Sequence, residues 1–366
     1  MNVVSIIVIA LLCIALFWQM KPAPRGELFD NSFPLPVSKG LQGFLALQIF
    51  VHHVFTFLNI RDIDADQLRI FSTIGVWLIG FFFFCSGYGL ITSLRTKQDY
   101  LKGFLVKRVL IVLVPFFLCN YAYMSVELLR GMQFSTPELI ASFFGVLLMN
   151  SQMWFAVEIM LLYIVFFLLF TYIKKEKICV MIIVALTAMI TLIGMLNTRP
   201  FYWSNWFWGE WWYNTTPLFA VGMLAAMMKN RLNELVKKHY CFALCGSFAG
   251  LVVFKVISDR LLQTHGYWTP RIGDKVLTYL FQVPSVIFFV AFVVLLLKKV
   301  RFKNQLLDFF GKFSLEIILV SGIFLNLFYE VAIAYGLVCY MCLSFVGTIL
   351  TAVILYKLKR FILEIR

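Results

Sequence analysis

KGLQGFLALQIFVHHVFTFL, residues 39 to 58, is the stretch on which the reading of the whole chain turns. As a helix its twenty residues span about 30 Å, the thickness of a bilayer core. At about 100° per residue, His53 lies three turns plus about 20° from Gln42 and about −40° from Lys39, so the three share a face. His52 lies about 100° round the helix and is expected to point elsewhere. Desolvating an ionisable side chain inside a membrane helix costs energy, which makes the histidine pair a functional candidate by default. The alternative is a histidine that packs helices by hydrogen-bonding a neighbour.

Composition sets the class. Hydrophobic residues make up 62% of the 366 and charged residues only 14%, with a mean hydropathy of +0.89, which predicts a polytopic, all-α membrane protein. The net charge of +14 fits the Lys/Arg bias of cytoplasmic loops, so it does not argue for a nucleic-acid partner. Eight cysteines lie almost entirely in apolar stretches, and Cys339 and Cys342, a CxxC by spacing, read as packing residues. No nucleotide-binding glycine motif, HExxH or zinc-type Cys/His set is present, so no bound cofactor or metal is expected.

Residues 3 to 20 form an apolar run followed by Lys21, Pro22, Pro24 and Arg25, which predicts a retained helix with its N-terminus outside, and then a cytoplasmic linker to residue 38. Further apolar runs at 71–94, 109–127, 152–173, 178–196, 213–228, 240–258, 276–297, 313–331 and 336–356 bring the expected spans to eleven. Alternating the sides places 24 of the 32 Lys and Arg residues in the cytoplasm, with the C-terminus there too. The short apolar segment 138–150 reads as re-entrant or interfacial. No piece outside the spans is large enough for a soluble core, so residues 1–38 form an N-terminal helix and linker, and 39–366 one transmembrane domain.

Five stretches, in this order, resemble the membrane acyltransferase-3 (integral-membrane O-acyltransferase) family: SKGLQGFLALQIFVHH from Ser38, FFFFCSGYGLITS from Phe81, YLKGFLVKRVLIVLVPFF from Tyr100, MWFAVEIMLLYIVF from Met153 and FFGKFSLEIILVSG from Phe309. Gln42 stands where the family usually has Arg, Ile111 where a second Arg often follows Arg108, and Ile318 and Ser321 where Tyr and His are common. The resemblance implies transfer of an acyl group, typically acetyl from cytoplasmic acetyl-CoA, to hydroxyls of extracytoplasmic or lipid-linked glycans at the cell membrane. It places the catalytic imidazole at His53, eleven residues after Gln42.

Residue chemistry gives the same candidates roles. An alcohol is a poor nucleophile near neutral pH, and histidine is suited to take its proton or to relay the acyl group covalently, so His53, with His52 beside it, is the catalytic candidate. Glu158, in an apolar span, is a candidate to orient the imidazole or a sugar hydroxyl. The phosphates of acyl-CoA need cations, for which Lys39, Lys102, Lys107 and Arg108, with Gln42 on the same helix face as Lys39, are candidates; ordinary cytoplasmic charge bias explains the same lysines. Trp154, Tyr88 and Ser86 are candidates for substrate contact. So are Glu210 and Trp211 in FYWSNWFWGEWWY, residues 201–213, where an interfacial aromatic belt is the competing reading. Two other functions remain open: a glycan or small-molecule transporter in which these groups line a path, and a non-catalytic membrane partner of the same fold.

Overall fold

The computed structural model describes residues 3–30, 33–197, 214–264 and 271–364. They form fourteen α-helices and one short β-ribbon. The helices are α1 (Val3–Phe17), α2 (Leu35–Asn59), α3 (Gly75–Thr96), α4 (Ile111–Leu129), α5 (Thr136–Phe143), α6 (Trp154–Tyr172), α7 (Glu176–Asn197), α8 (Pro217–Met227), α9 (Lys229–Thr264), α10 (Ile272–Leu296), α11 (Gln305–Lys312), α12 (Ser314–Leu327), α13 (Tyr329–Tyr335) and α14 (Leu337–Ile362). The ribbon pairs β1 (Lys21–Pro22) antiparallel with β2 (Val300–Arg301). This is an all-α polytopic helix bundle.

Eight helical segments are long and apolar enough to cross a bilayer, and α12 with α13, bent by 52°, reaches that length and apolarity only as a pair. The remaining two expected spans are shorter: α1 has 15 residues and α8 has 11, while the residues just before 214 lie outside the described set. The expected single span at 313–331 is broken because its backbone is tapped by a side chain. The Arg130 guanidinium donates to the Asn326 carbonyl, near the point where α12 ends and the chain turns into α13. The expected boundary near 240 falls at a break: within Lys229–Thr264 the backbone is non-helical at His239, where two helices meet, and residues 229–238 are helical rather than loop.

The basic segments expected on one side do gather at one end of the bundle. Arg95, at the end of α3, donates to Glu176 at the start of α7 and to the Ala226 carbonyl of α8. Lys237 pairs with Asp30 at 3.2 Å, and Lys299 donates to the Glu27 carbonyl at 2.7 Å. Two of these lysines are not solvated decoration. Lys298 is buried, donating to the Asp30 carbonyl at 3.0 Å and to Asn233 at 2.9 Å, and burial followed by the Lys237 charge holds its ammonium below the usual lysine range. Lys359 reaches back from α14 into a buried ion pair with Glu316 of α12.

Tight crossings fix α2. A side chain at Gly43 would overlap the backbone at Phe310 and Gly311, and one at Gly311 would overlap the Lys39 carbonyl, so α2 and α11 meet backbone to backbone. The linker before α2 is part of the same body, since Phe33 packs on Phe81 and Tyr88 with ring centres 5.9 and 6.0 Å apart. After α5 the chain turns at Gly145, whose φ of +70° favours glycine, and runs irregularly to Asn150. Irregular backbone at this depth is tolerated where it lines a cavity, which residues 149–152 do.

Candidate active site

Two cavities lie along the same faces of α2 and α3. One, about 660 Å³, lies towards the end that holds Lys39; the other, about 520 Å³, holds the histidines. On α2, Ser38, Lys39 and Gln42 line the first, and Ile49, His52, His53 and Thr56 the second. The intervening turn of α2 lines neither. On α3 a stripe at helical spacing passes through both: Gly75 and Val76 in the histidine cavity, Phe82, Phe83 and Ser86 in the basic one, with Ile79 common to the two.

His53 is 9% exposed and its Nδ1 lies 3.4 Å from the Ser321 hydroxyl on α12. The single proton of that hydroxyl goes to the Ile318 carbonyl at 3.1 Å. Ser321 Oγ therefore accepts from Nδ1–H, and the imidazole lone pair sits on Nε2. His52 is fixed in the same tautomer by a stronger anchor, the Phe71 carbonyl 2.8 Å from its Nδ1. It also lines the histidine cavity rather than pointing away from it, because its ring swings against Gly75, where a side chain would collide with it. The two rings are 5.7 Å apart.

Further polar groups of this cavity come from elements far apart in the chain: Asn150 and Gln152 before α6, Thr215 before α8, Gln282 of α10 and Asn326 of α12. Asn150 donates to the Tyr123 hydroxyl at 2.7 Å, and the Gln152 side-chain oxygen is buried without a hydrogen-bond partner among the described residues. Trp154 adds an indole face. At the rim, Arg61 donates to Asn326 and lies over the Tyr329 ring at 4.9 Å, while Asn326 donates to Glu127. Glu127 reads in sequence as a solvated span end; the structure puts it in the cavity wall.

The basic cavity holds Lys39, Gln42, Arg108, Ser86 and Tyr88. Ser86 and Tyr88 thus lie with the cations and not with the histidines, and Ser86 is hydrogen-bonded to Tyr163. Arg108 projects from a π-helical turn, Leu105–Leu110, and its Nε donates to the Tyr100 hydroxyl at 3.2 Å. Lys102 and Lys107 are exposed and outside the lining, whereas Lys97, which sequence reasoning did not single out, is in it.

Glu158 lines neither cavity. It is 2% exposed and faces α8, where Thr216 donates to one oxygen while the other has no partner among the described residues. It therefore does not touch either imidazole. Glu210 and Trp211 lie outside the described residues. No group of three or more His, Cys, Asp or Glu among the described residues is placed to hold a metal.

A helix bundle of this kind, with a basic cavity and a histidine cavity in line, has the build of a membrane-embedded transferase. A family model described as an acyltransferase domain matches residues 38–357, nearly the whole chain, and the chain belongs to that acyltransferase-3 family. Neither the curated proteins nor the solved structures contain a match to it.

Proposed function

We propose that this protein moves a short acyl group, acetyl in the simplest case, from acyl-CoA in the basic cavity to a hydroxyl of a glycan or lipid-linked sugar in the histidine cavity. The observation that carries the reading is the alignment of the two cavities on one face of α2, with Lys39 and Gln42 in one and His53 in the other. Phosphates favour the end with Lys39, Lys97 and Arg108, and forked donation from Arg108 suits them. The Lys/Arg bias assigns that end to the cytoplasm, which puts α1's start outside and α14's end inside, in the cell membrane.

A sugar suits the histidine cavity because amides and hydroxyls converge there beside an indole. In the transfer, His53 Nε2 takes the hydroxyl proton as the oxygen attacks the thioester carbonyl; the C–O bond forms, the C–S bond breaks, and the proton passes to the departing thiolate. The test is transfer of labelled acetyl from acetyl-CoA to the glycan fraction of membranes with and without the protein. Label that depends on the protein supports the reading. Equal labelling, with surface glycan present in both, contradicts it.

A further inference from the structure

We propose that Ile79 is the constriction between the two cavities and sets the length of acyl chain that reaches His53, an inference that rests on the donor and acceptor ends assigned above. Ile79 is the one described residue that lines both cavities. On α2 the lining breaks off after Gln42 and resumes at Ile49, because Leu45 and Ala46 are buried in the core and Gly43 is pressed against α11. On α6 the break falls between Trp154, on the histidine side, and Phe155, on the basic side. Ile318 closes the basic cavity at the same level, since its carbonyl holds the Ser321 hydroxyl that meets His53.

A thioester entering beside Arg108 must therefore bring its carbonyl past the Ile79 side chain to meet the hydroxyl at His53. The branched side chain has few rotamers in a helix and cannot swing aside cheaply. The next helix position, Gly80, is packed against Val286 and Leu218, so α3 cannot retreat either. Acetyl adds one methyl beyond the carbonyl. Each further methylene must pass the gap at Ile79 ahead of the carbonyl, and apolar contacts of this kind discriminate one methylene by roughly 10-fold or more.

The experiment measures thiol release and label transfer from acetyl-, butyryl- and hexanoyl-CoA in membranes carrying the unmodified protein, Ile79→Val, Ile79→Ala or Ile79→Phe. The readout is the hexanoyl-to-acetyl rate ratio within each variant, which cancels differences in the folded fraction. The ratio should rise on the order of 10-fold in Ile79→Ala, rise less in Ile79→Val, and fall in Ile79→Phe. Acetyl transfer with the same ratio in all four proteins overturns the constriction and leaves the acyltransferase reading standing. No release or transfer by the unmodified protein overturns both.

Discussion

His53 Nδ1 and Ser321 Oγ stand 3.4 Å apart, and the serine proton is already committed to Ile318, so the serine acts on the imidazole only as an acceptor. The contact is long for N–H···O, as catalytic bonds often are before substrate arrives. It joins α2 to α12. A hydroxyl there orients the imidazole: it selects the tautomer with Nε2 as base.

Removing that acceptor tests the tautomer argument. Ser321→Ala should lower kcat for acyl transfer on the order of 10-fold, with KM for the donor little changed, and Ser321→Thr should restore most of the loss. A fall in both variants alike, or a change confined to KM, would show that the hydroxyl only packs α12.

Arg108 and Lys303 separate donor binding from general basic charge. Arg108→Ala should raise KM for acyl-CoA several-fold, because it removes a fork that faces the basic cavity, whereas Lys303, exposed and outside the lining, should tolerate alanine. Equal small effects would return Arg108 to ordinary charge bias. Lys298 would be a poor control, since its burial and two hydrogen bonds make its removal a folding defect.

The Lys359–Glu316 pair is a structural clasp, with side chains 5% and 1% exposed. Lys359→Met alone leaves a buried carboxylate and should cost about 3 to 5 kcal/mol, seen as a lower Tm in detergent. The double change Lys359→Met with Glu316→Leu should recover most of it. Failure to recover would mean that one of the two groups has work beyond the pair.

A pH effect is expected at α5. Glu138 accepts from the Ser135 backbone N–H at 2.8 Å, and that bond first, then the Ser135 hydroxyl, holds its carboxyl below the ordinary 4.5. A carboxylate with a lowered folded value stabilises above the unfolded value and loses that contribution as pH falls through the folded one. The protection factor against hydrogen exchange at residues 136–143, taken relative to the intrinsic rate at each pH, should therefore hold above about pH 4.5 and fall below it, and Glu138→Gln should flatten the dependence.

Local pattern made the bundle and the α2 face legible. The 100° spacing of Lys39, Gln42 and His53 needs only one helix, and the Lys/Arg alternation needs only the order of the spans. The polar wall of the histidine cavity was not legible, because Asn150, Gln152, Thr215, Gln282 and Asn326 come from separate elements and none stands out as a polar residue in its own stretch. Glu158 misled for a related reason: an acid in an apolar span announces burial, but its neighbour, Thr216, sits on another helix. A signal that was present and missed is Ser135 with Glu138 three residues on, which marks a capped helix start just before the segment 138–150 read as re-entrant or interfacial.

The most direct test is the histidine pair. Label transfer from acetyl-CoA to membrane glycan should fall by roughly 10² or more in His53→Ala, with the protein still inserted and monodisperse, and by far less in His52→Ala. His52 shares the cavity, so the comparison separates position from mere presence of an imidazole. Unchanged transfer in His53→Ala would contradict the assignment of His53 as the base, and a loss confined to His52→Ala would move the base one residue back along α2.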